Sequence, residues 1–237
     1  MTTPAGHDMS GIIKWTSGES WQSHLDAVRA EHFEPAAQSL GLTVKAMVHA
    51  LGPDASTLQY CAFEDFLTRR FGPDAVNPIE DYLRRRGWKE RIATRAYLTQ
   101  LQNSIMSLHD VSDIVPGKSF RARDLIRGGE PVEISERNAT KTGERIAARV
   151  MTVGGRTILG SGVLAFSLLA TDRLLAALPR HKTRRAGGAK SGKSEDALAG
   201  WLGSDEKLRA AAPVFTASWL LDVLPSALAG TAKVVTT

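Results

Sequence analysis

The chain has 237 residues, 43% of them apolar and 23% charged, which suits one large or two small folded domains and excludes wholesale disorder. Its formal charge of +5 permits contact with nucleic acid or an anionic surface without requiring it. A single cysteine, Cys61, excludes an internal disulfide framework and a cysteine-based metal site, and so fits a reducing cytoplasm.

The N-terminus lacks a charged segment followed by an apolar one, so no signal peptide is expected. Residues 1–18, rich in Gly, Ser and Thr without a period, read as a mobile arm. Over 19–106 the pattern is helical. Ser20 opens a helix to about Ser39, with Trp21, Leu25, Val28 and Phe33 on a stripe and Gly41 beyond its end. Thr43 caps a short helix that stops at Gly52-Pro53, and a third runs from about Ser56 to Arg70. The spacing over Val44–Leu58 superficially fits a helix-turn-helix. Residues 1–60, however, hold three Lys/Arg (Lys14, Arg29, Lys45) against six Asp/Glu, the wrong balance for a DNA reader. An ordinary helical hairpin is expected there.

After the loop Phe71–Pro78, helices are expected over about 79–86 and 89–103, separated by Gly87. Between and within them lies the densest basic cluster: Arg84, Arg85, Arg86, Lys89, Arg91 and Arg95, with Trp88 inside it. Arginines beside an aromatic ring suit phosphate contact with base stacking. They suit equally a solvated face whose Arg stems pack on the ring.

From Ser107 the period changes to two. Strands are expected over about 107–115, 118–126, 131–137, 145–153 and 156–166, joined by short turns at Pro116-Gly117, Gly128-Gly129 and Gly154-Gly155. Ile158, Leu164 and Phe166 share a face, with Gly160 and Gly162 between them marking a bulge or bend. Five short strands with short turns make a small antiparallel barrel or curved meander. On it, Arg121 with Arg123 and Arg145 with Arg149 form a second candidate anion patch, which Glu130, Glu133, Glu136 and Glu144 would neutralise by cross-strand pairing. A helix over 171–178 closes the region.

Pro179–Ser194 carries six Lys/Arg and no acid, the composition of a disordered basic linker. Within it, GGAKSGKS (Gly187–Ser194) satisfies a phosphate-loop pattern but lacks the buried strand that must precede such a loop. The Gly/Ser/Lys composition accounts for it. Two helices follow, about 195–202 and 205–228, the second broken at Pro213. Lys233–Thr237 reads as a strand, either pairing with a sheet edge or belonging to a longer reading frame, the second being favoured. No run is long enough to span a bilayer; the longest, near Val163–Ala170, is interrupted by Ser167.

The histidines lack metal-ligand spacing. A Cys61–His109 nucleophile–base couple or an Asp110, Asp113 and Asp124 carboxylate cluster is formally available, and buried packing explains Cys61 more simply. No catalytic residue, cofactor or metal is implied.

DYLRRRGWKE (Asp81–Glu90), the YL-x-x-L-x-x-S helix (Tyr97–Ser104), PGKSFRARDLIRGGEPVEI (Pro116–Ile134), IAARV (Ile146–Val150) and FTASWLLDVL (Phe215–Leu224) together resemble a bacterial family of uncharacterised proteins. The likeness covers the middle of the chain well and the rest loosely. It implies no activity and no site residues, only that family members continue beyond a point like Thr237. The expectation is therefore an α+β protein: N-terminal helices, a central five-stranded antiparallel sheet or small barrel, and C-terminal helices after a basic linker. Its expected role is a non-enzymatic cytoplasmic binding or adaptor protein. Arg84, Arg85, Arg86, Trp88, Arg91, Arg121, Arg123, Arg145 and Arg149 would contact nucleic acid or a protein partner, with no membrane involved. The alternative is a nucleotide-binding or hydrolytic enzyme with an unrecognised site.

Overall fold

The computed structural model describes residues 6–136, 145–178 and 205–234. GGAKSGKS, the basic linker, the helix expected at 195–202 and the last three residues lie outside them.

Within residues 1–18, where an arm was expected, the described residues hold a helix. Ser10–Thr16 form helix α1, and Met9, Ile12 and Thr16 are buried. Two apolar side chains anchor it against α2 (Glu19–Ser39) and α5 (Pro78–Arg86). Thr43 caps α3 (Val44–Leu51), its side chain accepting from the Ala46 amide at 3.1 Å. A 3-10 turn, Gly52–Asp54, leads into α4 (Ala55–Thr68), completing the helical hairpin. Asn77 does two jobs. Its Oδ1 accepts from the Ile79 and Glu80 amides to cap α5, and its Nδ2 donates to the Leu67 and Arg69 carbonyls at the end of α4. A second 3-10 turn, Gly87–Lys89, separates α5 from α6 (Ile92–Asn103).

Six antiparallel strands follow: β1 (Met106–Val115), β2 (Ser119–Asp124), β3 (Val132–Ser135), β4 (Arg145–Val153), β5 (Arg156–Leu159) and β6 (Leu164–Phe166). The order is β3-β2-β1-β4-β5, with β6 also on β4. β3 comes back towards β5, so the sheet is nearly closed into a barrel. Phe120, Ala122, Ile134, Ile146, Ala148 and Leu159 fill its interior.

The single fifth strand expected from sequence is two. β5 pairs with β4 from Val150↔Leu159 to Val153↔Arg156, and β6 pairs from Ala147↔Leu164 to Arg145↔Phe166. The register slips between them at Gly160–Val163, and α4 fills the resulting bulge. The Glu64 carboxylate accepts from the Ser161 and Gly162 amides, at 2.5 and 3.4 Å. A Cβ on Gly160 would lie 2.7 Å from the Glu64 carboxylate; one on Gly162 would lie 2.8 Å from the Cys61 backbone. These two glycines are required by close approach.

Ser167 caps α7 (Leu168–Ala177) by accepting from the Ala170 amide, and its hydroxyl donates to Asp222 at 2.7 Å. α8 (Asp205–Ala210) and α9 (Ala212–Val234) complete the fold. The break expected at Pro213 falls at Ala211, because Pro213 is tolerated in a first helical turn. Lys233 and Val234, expected in a strand, end α9.

α9 also corrects the apolar census. Ala212–Ala229 is an 18-residue stretch of mean hydropathy 1.3, long and apolar enough by length and composition to cross a bilayer. In the fold this helix packs on α2, α7 and α3, burying Phe215, Trp219, Leu220 and Leu224. The largest apolar cluster joins it to α2, α3, α4, α7, β1, β4 and β6.

Candidate functional site

Two groups of polar side chains stand out, one buried and one exposed. The buried group lies between the helices and the outer face of β4. Asp65, on α4, is its centre. His32 Nε2 lies 3.0 Å from Asp65 Oδ2, Arg69 Nε donates to the same oxygen at 2.9 Å, and Arg149 Nη2 donates to Asp65 Oδ1 at 3.3 Å. Burial alone would raise the Asp65 pKa, but the hydrogen bond and charge of His32, with Arg149 and Arg69, hold it below the ordinary carboxylate value. Its neighbour Glu64 goes the other way. Desolvation pushes it up, against the opposing charge of Arg149 and the two amide hydrogen bonds from the bulge.

His32 Nδ1 lies 2.9 Å from the Thr216 hydroxyl. Thr216, His32 and Asp65 thus line up as hydroxyl, imidazole and carboxylate, the order of a nucleophile–base–acid chain. Thr216 and His32 are 0% exposed and Asp65 1%. Solvent does not reach the hydroxyl, so the chain orients and bridges helices α2, α4 and α9. The sequence carried no sign of it, since the three residues lie far apart on three helices.

Arg149 is the main correction to the sequence-derived site. It has the same strand parity as Arg145, as expected, but its side chain is 2% exposed. α6 packs on this end of the strand, Asp65 of α4 meets the guanidinium, and Arg149 donates to the Ser104 carbonyl at 3.0 Å. Arg209 of α8 donates to Asn103 and Ser104 at 2.7 and 2.9 Å, so two guanidiniums cap the C-terminus of α6.

The other sheet arginines are committed to local partners. Arg145 Nε lies 4.0 Å from Asp110, its cross-strand neighbour. Arg121 sits opposite Glu133 and donates to the Pro131 carbonyl at 3.1 Å. Arg123, opposite Asp110, also has a partner. The four arginines therefore do not assemble into one open patch. Cys61 and His109 do not meet either. Cys61 is buried in the helix-facing core, where desolvation pushes its thiol pKa up. His109 lies opposite Ile146, on the barrel-interior side. Asp110 and Asp124 lie on opposite faces of the sheet, and among the described residues no metal-ligating group occurs.

The exposed group is the α5–α6 corner. Arg84 and Arg85 fork onto Asp81 at 2.8 and 2.7 Å; burial opposes but these two arginines hold the Asp81 pKa down. Arg86 instead places its guanidinium 5.8 Å from the Trp15 ring centre. Trp88 is 74% exposed, with Lys89 Nζ 4.9 Å from its ring centre. Arg91, Ile92 and Arg95 are exposed beside it, Ile92 at 77%. Arg91 occupies the N-cap of α6 without a side-chain hydrogen bond, leaving the first amides of that helix uncapped. Among the described residues, Lys14, Arg86, Lys89, Arg91 and Arg95 form no ion pair within 4.0 Å. The corner thus combines an open aromatic ring, unpaired cations and a helix N-terminus. No protein-family model, curated protein or solved structure matches this chain.

Proposed function

We propose that the protein is a binding module that holds single-stranded nucleic acid on the α5–α6 corner. The observation that carries this reading is Trp88, 74% exposed and flanked by Lys89, Arg91 and Arg95. A large ring held in solvent gains nothing for the fold, whereas a base stacking on it gains about 1–3 kcal/mol. Unpaired cations and the uncapped N-terminus of α6 suit the accompanying phosphates. A hydrolytic alternative has one observation in its favour, the Thr216–His32–Asp65 chain, and fails on access to the hydroxyl. The test is fluorescence anisotropy with a labelled single-stranded oligonucleotide at low salt. Trp88→Ala is expected to weaken binding by about 5–100-fold with the thermal midpoint unchanged. No binding by the parent protein, or equal binding by the variant, sinks the reading.

A further inference from the structure

The strip of cations and rings does not stop at Trp88. Lys89, whose ammonium lies over Trp88, also lines a recess of about 510 Å³ between α1 and α5, the size of a small-ligand site. Its walls include Lys14, Trp15, Tyr82 and Arg86. Three cations and no carboxylate line it, so an anionic ligand suits its electrostatics. The nearest acid, Glu90, accepts the hydrogen bond of the Tyr82 hydroxyl beside Gly11 and keeps its charge, so the three cations outnumber it rather than stand alone. The Tyr82 and Trp15 ring centres are 6.2 Å apart at 50°; Tyr82 is buried, so the half-buried Trp15 ring is the flat apolar surface that the cavity can use. Gly11 of α1 is required by this arrangement, since a Cβ there would overlap the Tyr82 hydroxyl and the Glu90 carboxylate.

Resting on the nucleic-acid reading above, we propose that this recess takes one unstacked base of a single strand whose neighbouring base stacks on Trp88. Lys14, Arg86 and Lys89 meet the intervening phosphates. Arg86 now covers the Trp15 ring. A cation–π contact at an exposed site is weaker than base–aromatic stacking, so a base displaces the guanidinium, which then turns to phosphate. A duplex does not fit this scheme, because its bases are already stacked and paired.

The experiment uses the full chain and a single-stranded oligonucleotide carrying iodouracil, crosslinked by ultraviolet light and mapped by mass spectrometry. Crosslinks are expected at both Trp88 and the Trp15 or Tyr82 peptide. In parallel, anisotropy compares the parent with Trp15→Leu, and with Lys14→Ser, whose exposed side chain carries no packing role. Each substitution is expected to weaken binding by about fivefold or more, and an abasic oligonucleotide of equal length to lose that sensitivity to Trp15→Leu. Crosslinks confined to Trp88, with Lys14→Ser binding like the parent, overturn the recess and leave the surface reading standing. Binding to phosphatidylglycerol vesicles but to no oligonucleotide overturns both.

Discussion

Glu64 and Asp65 are sequence neighbours with opposite electrostatics. Asp65 is surrounded by His32, Arg69 and Arg149, and its pKa is lowered; for Glu64 burial outweighs the charge of Arg149 and the hydrogen bonds from Ser161 and Gly162, and its pKa is raised. A depressed carboxylate stabilises the fold above its unfolded pKa, and that contribution is lost as pH falls through the folded value. A raised one does the reverse. Its contribution is present below the ordinary value of 4.5 and is lost as pH rises from there through the folded value. Glu64→Gln keeps an oxygen for the Ser161 and Gly162 amides and removes the ionisation. Thermal midpoints measured from pH 4 to 8 are expected to fall less with rising pH in this variant than in the parent. A parallel pair of profiles contradicts the assignment. Neither residue was singled out from sequence, because two acids in an amphipathic helix look the same whether they face solvent or a bulge.

At the scale of elements, the junction of α4 with the β5–β6 bulge is the tightest contact that the glycine pattern foretold. Gly160 and Gly162 signalled a bend in an otherwise apolar strand, and the structure shows why no side chain fits. The two are not equivalent. A methyl on Gly162 meets the Cys61 backbone, which cannot turn away, whereas one on Gly160 meets the end of the Glu64 side chain. Gly162→Ala is expected to cost about 1–3 kcal/mol and Gly160→Ala less, read from urea unfolding midpoints. Equal losses would mean that Glu64 is as rigid as the backbone. Other elements were less legible. α1 was missed because a seven-residue helix shows too few turns for a period to register. Arg149 was misplaced because strand parity gives the face of a sheet and not what covers it: the same face of β4 is open at Arg145 and closed at Arg149.

For the whole molecule, what bears on binding is which of the described cations stand without an ionic partner. The sheet arginines are used by Asp110, the Pro131 carbonyl and the buried Asp65, while among the described residues Lys14 of α1 and Arg86, Lys89, Arg91 and Arg95 of the α5–α6 corner form no ion pair within 4.0 Å. If three to five of these meet phosphates, the logarithm of the association constant falls against that of salt with a slope of about −2 to −3.5. Titration of oligonucleotide binding between low and physiological salt checks this. A flat dependence would remove phosphate contact from the proposal.

Local chemistry in the sequence determined the kind of body this is. Apolar periods of 3.6 and 2, the cap at Thr43, and glycine turns such as Gly154-Gly155 specified helices flanking an antiparallel, nearly closed sheet. The Arg84–Arg95 run with Trp88 was visible because exposed residues contiguous in sequence stay contiguous in space. What only the tertiary structure decided is which charges remain free. Pairing depends on partners brought from distant elements, Asp65 to Arg149 across 84 residues and Thr216 to His32 across 184. A guanidinium beside a buried carboxylate holds the core, and the same group over an open ring can meet a ligand.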